Sequence, residues 1–233
     1  MAHWKKIAGG LTGISAGSRS NVWGVNANAQ IYRFTNDDAT PWHGVPGGLT
    51  DISAAADGTV WGVNANAEIY RYTGDQGTTG HWKKIAGGLV KISAGSRSNV
   101  WGVNANGQIY RFTNDDATPW HGVPGGLTDI SAAADGTVWG VNANAEIYRY
   151  TGDQGTTGHW KKIAGGLVKI SAGSRSNVWG VNANGQIYRF TNDDATPWHG
   201  VPGGLTDISA AADGTVWGVN ANAEIYRYTG DLP

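Results

Sequence analysis

Val22-Trp23-Gly24-Val25-Asn26-Ala27-Asn28, VWGVNAN in one-letter code, returns unchanged from Val60, Val100, Val138, Val178 and Val216. Six copies in 233 residues mark a repeat protein, whose fold is decided by what surrounds each copy. The 12 tryptophans form two series, Trp4, Trp42, Trp82, Trp120, Trp160, Trp198 and Trp23, Trp61, Trp101, Trp139, Trp179, Trp217, so every unit owns two. In both series the spacing alternates between 38 and 40 residues. A larger period of 78 is set by His3-Trp4-Lys5-Lys6-Ile7, which recurs from His81 and His159. The chain is therefore expected to be one domain, 1–233, of three modules with two unlike units each. The first module departs from the others at Thr12 for Val90, Gly13 for Lys91 and Ala29 for Gly107.

Each unit reads as four short strands. In the third, Trp82–Ile85 precedes a Gly-Gly break, Leu89–Ala94 alternates in polarity, Asn99–Asn104 is β-branched and aromatic, and Gln108–Thr113 alternates again. Asn106-Gly107, or Asn-Ala elsewhere, lies where a hairpin needs positive φ. No segment carries a helical apolar period, so the class is all-β. Four strands in about 40 residues, six times over, predict a six-bladed β-propeller with four antiparallel strands per blade. A β-trefoil also repeats units of this length, but two trefoils would split the alternating pattern into unlike halves. The chain starts on a Trp-type strand, Trp4 to Ile7, and lacks one after Tyr228. The N-terminal strand is therefore expected to close the last blade, which also hides a sheet edge.

Composition narrows the function. With 17 Lys plus Arg against 18 Asp plus Glu there is no basic excess to draw nucleic acid or anionic lipid. Cysteine is absent, which removes disulfides, thiolate metal sites and a Cys nucleophile. There is no leader-like apolar run, no stretch of about 20 apolar residues and no N-x-S/T acceptor, so a cytoplasmic protein without membrane insertion is expected.

The pattern W-x-x-I-x-G-G-L-x-x-I-S-A-G, then VWGVN, then IYR, resembles the tectonin repeat of slime-mould, invertebrate and mushroom proteins. It covers all six units from Trp4 to Tyr228, and departs where three units carry Ala-Ala-Asp-Gly in place of Gly-Ser-Arg-Ser-Asn. The resemblance implies a propeller lectin, a homo-oligomer with a tetramer favoured, and recognition of O-methylated mannose or fucose on bacterial and nematode glycans in cytoplasmic fungal defence.

Two loops per unit share one rim of such a ring. The first carries Arg19 and Asn21, Arg97 and Asn99, Arg175 and Asn177 in one unit type, and Ala55 and Asp57, Ala133 and Asp135, Ala211 and Asp213 in the other. The second carries Asn36, Asp37 and Asp38, Asn114, Asp115 and Asp116, Asn192, Asp193 and Asp194, or Asp75 and Asp153. Between adjacent blades they offer donors, acceptors and small apolar groups, as hydroxyls and a methyl ether need. The same aspartates suit Asx-turns equally well. Trp42, Trp120 and Trp198, beside a polar loop, are candidate platforms for a sugar's C–H face, whereas the Trp23 series belongs in the core. The opposite rim, with Asn26-Ala27-Asn28 and the Gly-Gly bends, reads as turn geometry.

Catalysis is not supported. The six histidines, His3, His43, His81, His121, His159 and His199, fall one per unit, and no Ser-His-Asp or metal-ligand spacing stands out. Calcium loops alternate their ligands, which Asn36-Asp37-Asp38 does not. No cofactor is expected. Two rival readings stay open: a propeller that docks a protein partner, and a regularised scaffold that binds nothing.

Overall fold

A computed structural model describes residues 3–74, 81–152 and 159–230. Its strands form six four-stranded antiparallel sheets, each with consecutive strands side by side except the last. The first blade is Gly13–Ser18, Asn21–Val25, Ile31–Phe34 and Trp42–Val45, from axis to periphery. The second is Asp51–Ala54, Val60–Val63, Ile69–Tyr72 and Trp82–Ile85, and modules two and three repeat the pair. We call blades one, three and five odd, and the others even. The sixth holds Asp207–Ala210, Val216–Val219 and Ile225–Tyr228, and takes Trp4–Ile7 as its outer strand. That closing strand pairs Trp4 with Tyr228 and Ile7 with Ile225, so the expected closure and the six-bladed propeller hold.

The core lies between blades. Trp61, Val63, Ile69 and Ile85 of the second blade pack against Leu89, Ile92, Ala94, Val100 and Phe112 of the third, and the other junctions repeat this. Trp23, Trp61, Trp101, Trp139, Trp179 and Trp217 are at most 1% exposed, as expected of that series. Each removes roughly 200 Å² from water, on the order of 5 kcal/mol of gross hydrophobic stabilisation. Trp61 sits edge-on to Phe112 and to Trp120 of the next blade, at 5.0 and 6.1 Å between ring centroids.

VWGVNAN has a physical reason at nearly every position. Val22 and Val25 are buried beside Trp23. A Cβ at Gly24 would lie 2.4 Å from Leu11 Cδ1, so only glycine lets that leucine seat. Asn26 organises the turn, its Oδ1 accepting from the backbone N–H groups of Asn28 and Gln30 at 3.0 Å. Positive φ falls one residue beyond the second asparagine, at Ala29 (61°), Ala67 (60°) or Gly107 (77°). Asn26, not local glycine, makes this turn.

The innermost strands start later than their apolar pattern suggests, at Lys91 and not Leu89. The Leu89 N–H donates to the Ala67 carbonyl of the preceding blade's turn, and Leu89 is buried there as a link between blades. Around the axis, Ser15, Ser53, Ser93, Ser131, Ser171 and Ser209 each accept from an alanine N–H of the following blade. All six bonds are 2.8 Å long and complete a ring. The channel they line holds about 80 Å³, room for a few waters and not for a sugar.

Candidate functional site between blades

The innermost and third strands run in one direction, so the loops after them share a rim, and two grooves alternate around it. The groove leaving an odd blade is lined in the first module by Ser20, Asn21, Trp23, Arg33, Phe34, Thr35, Asn36 and His43, with Gly58 and Tyr72 from the second blade. In the second module Asn99, Trp101, Arg111, Phe112, Asn114, His121 and Tyr150 do the same. These grooves measure about 540 and 550 Å³, within the usual range for small-molecule sites. Asn177, Trp179, Arg189, Asn192, His199 and Tyr228 stand at the same repeat positions in the third module.

Each wall has a local cause. Arg33 stands in register with Trp23 and His43 on the strands either side, and lies 5.6 Å above the indole of Trp23. Asn36, Asn114 and Asn192 take the left-handed conformation, φ 67–68°, at the lip of the loop. Asn21 is framework: its Oδ1 accepts from Trp23 Nε1 and its Nδ2 donates to the Ala55 carbonyl of the next blade, both at 2.8 Å. Asn99 and Asn177 repeat both bonds.

The groove leaving an even blade differs. At the sixth blade it is formed by Asp213, Thr215, Trp217, Arg227, Tyr228 and Thr229, with Arg19 from the first. Thr59, Thr137 and Thr215 stand where the odd blades have asparagine, so the buried indole N–H groups of Trp61, Trp139 and Trp217 have no acceptor among the described residues. Asp38 reaches over from the next blade and takes Arg227 bidentately at 3.0 and 2.8 Å, and Lys5 at 2.6 Å. Arg71–Asp116–Lys83 and Arg149–Asp194–Lys161 are the same clamp. The Arg71 guanidinium, then the Lys83 ammonium, hold the Asp116 carboxyl down at about 2.

The remaining expected site residues fall as follows. Asp37 closes an Asx-turn, its carboxylate accepting from Ala39 N–H and the Thr40 hydroxyl, and Asp115 and Asp193 repeat it. Asp57 accepts from the backbone N–H groups of Thr59 and, across the junction, Arg97. Burial pushes its carboxyl up, but these bonds outweigh that and hold it below the usual range, as they do for Asp135 and Asp213. Ala55, Ala133 and Ala211 are at most 1% exposed and belong to the packing under the rim. Trp42, Trp120 and Trp198 are half-buried against the preceding blade, each with Nε1 on its carbonyl at 2.8 Å. Arg19, Arg97 and Arg175 are exposed, and their guanidinium groups bond to no described residue. Asp75 and Asp153 lie outside the described residues.

Sequence reasoning passed over Arg33, His43 and Tyr72 and their equivalents. Their signal was register: IYR places an arginine opposite the core tryptophan, and the edge strand places a histidine opposite that arginine. No group of three or more His, Asp or Glu among the described residues is arranged to hold a metal.

Among solved structures, the chain is similar to that of YCF48 bound to D1 peptide (15% identity over 99% of this chain and 96% of that one, TM-score 0.61). It is also similar to YCF48 from Cyanidioschyzon merolae (16%, 97% and 85%, TM-score 0.60) and to streptogramin B lyase (17%, 99% and 88%, TM-score 0.63). At these identities the likeness extends to the propeller fold alone. A search of curated protein sequences finds no match. The Tectonin domain model, however, matches twice in tandem, over residues 1–119 and 114–232, and the chain belongs to the tectonin family.

Proposed function

We propose that this propeller is a multivalent lectin without catalytic activity, which takes O-methylated mannose- or fucose-type sugars in the three grooves leaving the odd blades. The observation that supports this most is the recurrence of one groove in the modules, polar at Asn36, Arg33 and His43 and apolar at Phe34 and Trp23. Hydroxyls pair with the polar wall, and a methyl ether lies against the aromatic one. A single exposed site of this kind binds near millimolar, about −4 kcal/mol. Three on a rigid ring, multiplied in a homo-oligomer such as a tetramer, raise apparent affinity by about 10² to 10⁴ on a surface that displays the sugar repeatedly. Bacterial and nematode glycans are such surfaces, and a cytoplasmic fungal defence protein would meet them when the cell is eaten.

The test is a glycan array with free-sugar competition, followed by calorimetry with methylated mannoside and fucoside. Replacing His43, His121 and His199 together by alanine should weaken binding at least about tenfold with unchanged thermal stability, since these side chains are exposed. Failure to bind any methylated glycan would refute the sugar assignment, and a sugar-insensitive stoichiometric protein partner would replace it.

A further inference from the structure

We propose that one mouth of the central channel carries a seat for a small primary alkylammonium ion, held by Asp207 in the notch that Gly13 leaves. The inference does not rest on the sugar reading of the odd grooves.

The notch is a gap in an alternation. Innermost strands of even blades begin with Asp51, Asp129 and Asp207, those of odd blades with Lys91, Lys169 and Gly13, and all six line the same end of the channel. Each aspartate accepts through Oδ2 from a backbone N–H of the following blade: Ile92 at 2.9 Å for Asp51, Ile170 at 3.0 Å for Asp129 and Ile14 at 3.0 Å for Asp207. The three carboxylates are therefore presented alike. What differs is the second partner. The Lys91 ammonium lies 3.3 Å from Asp51 Oδ1, and Lys169 stands in the same register beside Asp129, opposite Val181 as Lys91 is opposite Val103. Beside Asp207 that side chain is missing, and the Ile14 N–H is its only hydrogen-bond partner among the described residues.

The second module thus shows what such a seat takes: a primary ammonium on an unbranched alkyl stem. A Cβ on Gly13 would lie 3.2 Å from Val25 Cγ2, a tight contact that a free ion avoids. The n-propylammonium ion reproduces a lysine side chain from Cγ outward, so its N–H groups reach Asp207 in a charge-assisted bond while its stem lies along Val25. Entry is open, because Gly13 and Asp207 both stay partly exposed at the mouth. The mouth also lies away from every stretch outside the described residues. Gly74, His81, Gly152 and His159 flank two of those stretches, His3 and Gly230 the others, and all stand at the opposite rim, where third strands end and outer strands begin.

The experiment follows the backbone N–H resonances of Ile14, Ile92 and Ile170 in the intact protein during titration with n-propylammonium chloride at constant ionic strength. Ile14 should shift and saturate at one ion per chain, with a dissociation constant of roughly 1–30 mM, while Ile92 and Ile170 stay in place. The uncharged n-propanol and the donor-free tetramethylammonium ion should leave Ile14 unmoved. Gly13→Lys fills the notch, and Asp207→Asn keeps an oxygen for Ile14 but loses the charge; each should weaken binding by about tenfold or more. Lys91→Gly opens a sister notch beside Asp51, so Ile92 should then shift as well and the protein should take a second ion. Nα-acetyl-lysine methylamide, the side chain as another protein would present it, should bind no tighter than n-propylammonium; tighter binding would replace the free amine by a protein partner. No saturable Ile14 shift, the same shift with propanol or tetramethylammonium, undiminished binding in Gly13→Lys, or a folded Lys91→Gly protein that takes only one ion would overturn the proposal.

Discussion

Replacing Gly13 by lysine should stabilise the protein, and should do so in a pH-dependent way. One mouth of the channel is ringed by Asp51, Lys91, Asp129, Lys169 and Asp207, and at the sixth position by Gly13. Lys91 reaches back to Asp51 of the preceding blade at 3.3 Å, with both side chains about three-quarters covered. Asp51 beside it raises the Lys91 ammonium above its usual range. Asp207 faces Gly13 across the equivalent junction and lacks that partner. Burial pushes its carboxyl up, against Lys169 and the Ile14 N–H that pull it down. The position accepts a lysine once Val25 gives by a few tenths of an ångström: Gly13 stands opposite Val25 as Lys91 stands opposite Val103, and a Cβ there lies 3.2 Å from Val25 Cγ2 and 3.8 Å from Asp207 Oδ2.

The Coulomb attraction of such a pair at an effective dielectric near 20 is about 4 kcal/mol, most of which desolvation and side-chain ordering consume, leaving roughly 0.5–1 kcal/mol. Loss of a strand glycine adds about 0.5–1 kcal/mol. The total of about 1–2 kcal/mol corresponds to a rise of about 3–6 °C for a chain of this length. A carboxyl raised on folding contributes stability at low pH that is lost as pH rises through its folded value, and a neighbouring ammonium reduces that loss without abolishing it, since burial keeps Asp129 raised even beside Lys169. The margin of Gly13→Lys over Gly13→Ala in thermal unfolding should therefore be present at neutral pH and vanish near pH 3, where Asp207 is protonated. An equal margin at both pH values, or none, would show that the ring of charge is not what the glycine interrupts.

Two further outcomes follow from bonds between blades. Ser53→Ala leaves the Ala94 N–H without an acceptor in a buried position, and should cost about 1–3 kcal/mol in denaturant unfolding, more than a serine-to-alanine change on the rim. Asp116→Asn removes the charge that holds Arg71 and Lys83, about 30% exposed itself, and should cost about 1 kcal/mol at neutral pH. Because the Asp116 carboxyl lies at about 2 in the folded state, that contribution is complete above about pH 4 and disappears towards pH 2, so variant and parent should converge in acid.

Strand number, blade number and closure by Trp4–Ile7 were legible in the sequence because each depends on local alternation and on counting. The boundary at Leu89 was not, since an apolar residue that bridges blades looks like one that begins a strand. The rim was harder still. Asn21, Asp38 and Asp57 are the polar residues a ligand would use, but their bonds run to the neighbouring blade, a relation between positions roughly 34 to 194 residues apart that no spacing announces. The odd-blade groove is instead walled by Arg33 and His43, which only strand register brings beside Trp23. The difference between Asn21 and Thr59 was visible in the sequence, but its meaning depended on knowing that an indole N–H lies behind it.

Closure of the sixth blade by the strand that opens the first bears on what one module could do alone. A 78-residue piece from Trp82 to His159 would carry an outer strand at its start for the blade ending another copy, and would lack that strand for its own second blade. It could not satisfy itself, but three copies in head-to-tail order would satisfy one another and reach the geometry of the full ring. Such a fragment is expected to assemble as a trimer whose folding depends on concentration, with covalent linkage between modules replaced by strand exchange.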